Sequence, residues 1–296
     1  MAIDVPRLAA TPERAASHRR SLIGRVVKSV GGRRAEAVSD GSLGEARRSL
    51  RAARSGQVRT ALAVGAHRDV PIPSRPLAAA RDLRIDESLE YTLVARGHRV
   101  LDLGYAHGSL ACAAAQRGAH VTALVQDPAE AEVVRFRVAV MGLDHLVEVV
   151  IGGLADIHGS YDVVVGMEAL SGLAQNEVAH LLADVLDRLA PAGGGYLDGL
   201  VAGNFVGAGF TTVRGLRKAL AAEQSATATS VELGSTAYLT EVEAAASDAA
   251  ESPAGLLAEI ADAVASGSLA HARLVLTRRP DLRHSAPDLH EAVLWP

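Results

Sequence analysis

Residues 99–128, RVLDLGYAHGSLACAAAQRGAHVTALVQDP, constrain the fold more than any other stretch of the chain. An apolar run, Val100-Leu101-Asp102-Leu103, ends in Gly104-Tyr105-Ala106-His107-Gly108. An alanine-rich segment follows from Ser109 to Arg117, and a second apolar run spans His120 to Val125. The order reads strand, glycine turn, helix, strand, which is the opening βαβ unit of a nucleotide-type fold. A small-residue turn at the carboxyl end of a strand lets a ligand approach the backbone. The helix behind it offers unpaired N–H groups. Gly108 is expected to be a point where ligand meets backbone, so a side chain there should fill the ligand's space.

The pattern continues in β/α alternation. Pro128 to Met141 reads as a helix, with proline suited to its first turn. Leu146 to Ile151 reads as a strand, Tyr161 to Gly166 as the fourth strand, and Gln175 to Leu189 as a helix. Ala190-Pro191-Ala192-Gly193-Gly194-Gly195 reads as a turn and Tyr196 to Val201 as the fifth strand. Such alternation implies a parallel sheet covered on both faces. Further on, helix 211–223, strand 228–233, helix 253–266 and strand 272–277 are expected. A helix over 77–96 should lead into the first strand.

A dinucleotide-binding turn wants G-x-G-x-x-G, and here those positions hold Gly104, Ala106 and Ser109. The pattern Asp102-x-Gly104-x-Ala106-x-Gly108 instead resembles motif I of the class I S-adenosylmethionine-dependent methyltransferases. The order of later signals is similar to that family too: Gly142-Leu143 before the third strand, Tyr161-Asp162-Val163-Val164-Val165 at the fourth, and Leu189-Ala190-Pro191-Ala192-Gly193-Gly194-Gly195 after the next helix. Within the class, GYAHGSLACAAAQRGAHVTALVQDP and VVVGMEAL resemble the cyclopropane-fatty-acid-synthase-like branch. The resemblance, which runs from Arg99 to about Val201, implies an α/β, Rossmann-like fold with a mostly parallel seven-stranded sheet and helices on both faces. The charge balance and helical pattern upstream add an N-terminal helical cap, so the chain is expected to comprise a basic helical cap and linker over 1–75, a methyltransferase-like domain over 76–280 and a C-terminal extension over 281–296.

The same resemblance implies S-adenosylmethionine as cofactor, bound by Asp102, Gly104, Ala106, Gly108, Gln126, Asp127, Gly153 and Leu154. The chain departs from the family at several of these places. The second turn glycine is Ala106. The acid that closes the second strand and binds ribose is replaced by Val125, with Asp127 two residues on. The acid after the third strand is replaced by Gly153, with Asp156 three residues on. After the fourth strand the lipid-modifying branch shows Glu-x-x-Glu, where the second acid helps hold a bicarbonate base. Here the stretch is Glu168-Ala169-Leu170-Ser171, so that mechanism does not carry over.

Methyl transfer asks mainly for alignment of nucleophile, methyl and sulfur, with a base where the acceptor loses a proton. Glu168 and His107 are the catalytic candidates, with Tyr238 a third if the tail folds over. Glu168 is expected at the cleft rim, where it should affect turnover more than stability. Two functions fit: methyl transfer to a small molecule of bacterial specialised metabolism, or a methyltransferase-fold protein that closes a ring or serves as a subunit of a heteromeric complex.

Composition narrows the partners. Residues 1–59 hold 13 basic and 5 acidic residues, a balance of +8, against 17 basic and 29 acidic in the remainder, a balance of −12. That arm has no aromatic residue for base stacking, so nucleic acid is not expected. Apolar helical faces over 13–30 and 43–55 point to docking on the acidic body, or to a homo- or hetero-oligomer, with anion or lipid binding by the basic arm as the alternative. No apolar run approaches a membrane span, and no signal-peptide core is seen at the N-terminus. A lone cysteine allows no internal disulfide, so a cytoplasmic protein is expected. Cys112 is the single cysteine and reads as a small buried hydrophobe. No Cys/His spacing suits zinc, and no metal is expected.

Overall fold

The computed structural model describes residues 40–55, 57, 62, 75–203, 209–223, 226–233, 236–248 and 251–279. The expected helix over 13–30, most of the cap and linker over 1–75 and the extension over 281–296 lie outside them.

The first helices are α1 (Asp40–Arg54) and α2 (Arg75–Tyr91). The core then alternates through β1 (Arg99–Asp102), α3 (Ser109–Gln116), β2 (His120–Val125), α4 (Pro128–Val140), β3 (Val147–Ile151), β4 (Tyr161–Gly166), α5 (Gln175–Arg188) and β5 (Leu189–Ala202). The last part comprises α6 (Val213–Ala222), β6 (Ala226–Leu233), α7 (Thr236–Asp248), α8 (Glu251–Ala265) and β7 (Leu269–Arg278). The strands form one seven-stranded sheet in the order β3-β2-β1-β4-β5-β7-β6. β7 runs antiparallel to both β5 and β6, while the pairings from β3 to β5 are parallel. Crossover helices are the obligatory way to join parallel neighbours, which explains the alternation.

Side-chain alternation along the strands feeds two layers. Val100, Val163, Val165 and Tyr196 point to one face, where they meet α3 and α4. Leu101, Val164, Leu197 and Leu274 point to the other, against α5 and α6. A third cluster joins Ala46 and Leu50 of α1, Leu77 of α2, Leu200 of β5, Tyr238 and Val242 of α7, and Leu257 and Ile260 of α8. The described part of the basic arm therefore packs on the body through an apolar stripe.

Three expectations need correction. Helix 77–96 ends at Tyr91, because Leu93 takes a positive φ of 53° and Gly97 one of 82°. The turn expected at 190–195 is a bulge inside β5. Tyr161 pairs with Leu189, Val163 then pairs with Gly194, and Ala192 sits at φ 65°. Helix α7 was not foreseen, because its apolar stripe of Ala237, Tyr238, Val242 and Ala245 is interrupted by a buried Glu241.

Candidate functional site

In open α/β sheets ligands sit beyond the carboxyl ends of the strands where the order reverses. Here that place lies between β1 and β4, and the turn after β1 occupies it. Its backbone is unusual. Gly104 has φ 78°, Tyr105 is extended, and Ala106, His107 and Gly108 have φ 47°, 50° and 79°. Two consecutive non-glycine residues in the left-handed region cost about 1–2 kcal/mol each. Such a turn persists only where its surroundings over-determine it.

Asp102 is buried at the end of β1, and its Oδ1 accepts from the Gly104 N–H at 2.9 Å. On one side of the turn, Arg137 of α4 donates to the Ala106 carbonyl at 2.9 Å and to the Ser109 hydroxyl. Burial lowers the Arg137 pKa, and Arg81 adds to this, while Cys112 works against it. His107 keeps partial exposure, and its Nδ1 lies 3.6 Å from Glu130 of α4. A Cβ built at Gly108 would lie 2.7 Å from the Val134 side chain of α4, so this glycine allows helix packing.

The other predicted cofactor residues line the neighbouring strand ends. Gln126 and Asp127 are exposed after β2, and Asp127 caps α4 by accepting from the Ala129 N–H at 2.9 Å. Val125, where the family has an acid, is buried. Gly153 and Leu154 follow β3 and are half-buried. The Asp156 carboxylate accepts from the Gly153 N–H at 2.8 Å, so it is tied to its own turn.

Glu168 is not a rim carboxylate. It lies in the left-handed region at φ 59°, and its side chain is 1% exposed. Its Oε1 accepts from Arg84 Nη2 at 2.6 Å and its Oε2 from Ser171 Oγ at 2.5 Å. Ser171 Oγ in turn accepts from the Leu200 N–H at 2.9 Å. Ser171, at the place of the family's second acid, thus couples Glu168 to β5.

The centre of this assembly is Arg84 of α2, fully buried. Its Nη2 also donates to Asp198 of β5 at 2.8 Å, and its Nη1 donates to Glu241 of α7 at 3.0 Å and to the Tyr105 hydroxyl at 3.2 Å. The guanidinium packs on the rings of Tyr238 and Tyr105, 4.8 and 5.3 Å from their centroids. Tyr238 stacks on His271 of β7 with ring centroids 4.0 Å apart, which brings the tail to the site. Tyr105 donates to Glu241, Arg81 lies 3.5 Å from Glu241, and Tyr196 donates to Asp198 at 3.1 Å.

Burial works against the charge of Arg84, but Asp198, Tyr105, Glu168 and Glu241 outweigh it and raise its pKa. Burial would raise Asp198, yet Arg84 and His271 hold it well below the usual carboxylate range. Burial pushes the Tyr105 phenol up, and Glu241 adds to this. Glu168, Asp198 and His271 each place a ligand-type atom within 4.8 Å of the others, a grouping that suits a metal ion. Arg84 Nη2 already stands among them, at 2.6, 2.8 and 3.4 Å, so the positive charge there is a guanidinium.

Sequence reasoning missed Arg81, Arg84, Asp198, Glu241 and His271. A signal existed for the arginines, which lie on the same helical stripe as Leu77, Ala80, Ile85 and Leu89. A charge on the apolar stripe of a core helix has to find a buried partner. A 330 Å³ cavity near Tyr91, His98, Asp162 and Thr277 lies at the opposite, amino-terminal edge of the parallel strands and is remote from this chemistry.

Residues 70–203 match the sequence profile of the mycolic acid cyclopropane synthetase family. The chain is 34% identical over 118 residues to tuberculostearic acid methyltransferase UfaA1 of Mycobacterium tuberculosis, a match that covers 40% of this chain and 27% of that protein. The chain thus spans about a quarter of the length of that relative. Among solved structures, the cyclopropane synthase MmaA2 from Mycobacterium tuberculosis superposes with a TM-score of 0.59 at 17% identity, over 73% of this chain and 89% of that one. The [4+2]-cyclase SpnF superposes with a TM-score of 0.58 at 18% identity, over 78% of this chain and 96% of that one. The sheet order, the turn after β1 and these similarities agree: over residues 70–203 the chain is similar to the cyclopropane-synthase-like branch of the class I S-adenosylmethionine-dependent methyltransferases, and its fold is the Rossmann-like α/β fold of those solved structures.

Proposed function

We propose that the chain binds S-adenosylmethionine at the turn after β1 and transfers its methyl group to a small molecule. The observation that carries this reading is the turn itself. Asp102 holds the Gly104 amide, and the left-handed run through Gly108 lies at the carboxyl edge of the central strand. The residues fit the group. The Gly104–Gly108 backbone would hold its methionine part, and Asp127, exposed beyond β2, stands nearest in sequence to the missing ribose acid. The cofactor supplies an activated methyl on a sulfonium. The chain has to orient the acceptor, exclude water and, where needed, take a proton.

His107 is the better placed of the two proton acceptors, since it lies in the turn and is partly exposed, whereas Glu168 is enclosed by Arg84 and Ser171. Calorimetric titration tests the reading. Saturable binding of S-adenosylmethionine or S-adenosylhomocysteine with Kd below about 1 mM is expected. No heat at that concentration overturns it. With an acceptor in hand, His107→Gln should lower kcat about 10²-fold where the acceptor must lose a proton.

A second reading has its own support. Arg84 fills the place beside Glu168, and both family acids that hold ribose and adenine are displaced. A protein of this fold that closes a ring, or completes a heteromeric enzyme, would need no methyl acceptor. Cofactor binding without methyl transfer to any acceptor favours this alternative.

A further inference from the structure

We infer that Tyr105 and Arg137 are positioning residues for the cofactor turn, and that they set cofactor affinity by holding Ala106 and His107 in left-handed conformations. This rests on the cofactor site proposed above.

The turn is gripped from two sides. On one side the Tyr105 side chain is fully buried. Its hydroxyl donates to Glu241 of α7 and accepts from Arg84 of α2, and its ring lies under that guanidinium. On the other side Arg137 of α4 binds the Ala106 carbonyl and the Ser109 hydroxyl. Between these grips lie Ala106 and His107, whose φ values of 47° and 50° would relax toward negative φ in a free chain. A strained pair held from both flanks is pre-organised. The turn need not be reshaped when a ligand arrives, so the ordering cost of binding is smaller. The grip also ties the turn to α7 and α2, because Glu241 is shared by Tyr105, Arg84 and Arg81. Neither Tyr105 nor Arg137 has to touch the ligand to act in this way.

The test uses the full chain and S-adenosylhomocysteine as probe. Tyr105→Phe keeps the ring beneath Arg84 and removes only the hydroxyl. Arg137→Met keeps the stem and removes both donated bonds from a half-buried position. Each should raise the calorimetric Kd about 5- to 10-fold, a loss of about 1–1.4 kcal/mol of binding. Amide hydrogen exchange should rise in residues 103–110 while β4 and β5 keep their protection. Ala106→Gly relieves the backbone strain, so adding it to Tyr105→Phe should restore most of the affinity. A merely structural role for the hydroxyl predicts no such rescue. Kd within twofold of the parent in both folded variants overturns the inference. So does weaker binding with unchanged exchange at 103–110, or a failed rescue by Ala106→Gly. Should the parent chain bind no S-adenosylhomocysteine, the proposed function falls and this inference with it. Binding by the parent with no effect of either variant overturns the inference alone.

Discussion

Arg84 answers three carboxylates, Glu168, Asp198 and Glu241, with Arg81 beside Glu241 and His271 beside Asp198. Removing one partner from such a buried group strands the others without solvent. Arg84→Met should therefore cost about 3–5 kcal/mol of folding stability by urea denaturation. Glu168→Gln should also lower the melting temperature clearly, because a neutral amide with one accepting oxygen replaces a carboxylate that accepts from both Arg84 Nη2 and Ser171 Oγ. The burial of Glu168 corrects the expectation of a rim carboxylate. The chain has five tyrosines, and Tyr105, Tyr196 and Tyr238 lie buried around this one guanidinium. In a chain with 3% aromatic residues, that placement shows where large rigid side chains with polar tips are needed.

At the scale of elements, the turn after β1 and α4 are fitted to one another. Gly108 has φ 79°, and its missing Cβ leaves room for Val134. Gly108→Val should destabilise the domain by about 3 kcal/mol or more, combining left-handed strain with overpacking. Adding Val134→Ala should recover the packing share and leave about 1–2 kcal/mol of backbone strain. Full recovery would contradict the role of φ; no recovery would contradict the role of Val134. The β/α order of these elements was legible because each is encoded locally. Apolar runs end at glycines, and Pro128 and Asp127 mark the start of α4. The bulge at the start of β5 was not legible. Its glycines read as a turn, and only pairing with β4 and β7 extends the strand through them.

For the whole molecule, the buried cluster ties stability to pH. The Asp198 pKa is depressed in the folded state because Arg84 and His271 outweigh the cost of burial. An acid with a lowered folded pKa contributes stability that is complete above its unfolded value of about 3.9 and is lost as pH falls below it. Unfolding free energy measured by urea should thus drop as pH falls below about 4, and Asp198→Asn should flatten that part of the curve. A curve of unchanged slope in that variant would remove Asp198 from the account. No helix among the described residues is long and apolar enough to cross a membrane.

The sequence by itself determined the strand–turn–helix opening, the alternation that makes a parallel sheet, and the residues that line the turn. These follow from period, chirality and the φ freedom of glycine, which act over a few residues. Only the tertiary structure decided that Arg84, Tyr105, Glu168, Asp198, Glu241 and His271 share one centre. They come from α2, the turn after β1, the turn after β4, β5, α7 and β7, and Arg84 and His271 stand 187 residues apart. Charges so distant in sequence meet through strand order and register. Asp198 lies opposite Arg273, and Leu200 opposite His271, because β7 inserts antiparallel beside β5. Local pattern carries no information about that pairing, and it is the pairing that turned a predicted rim acid into a buried one.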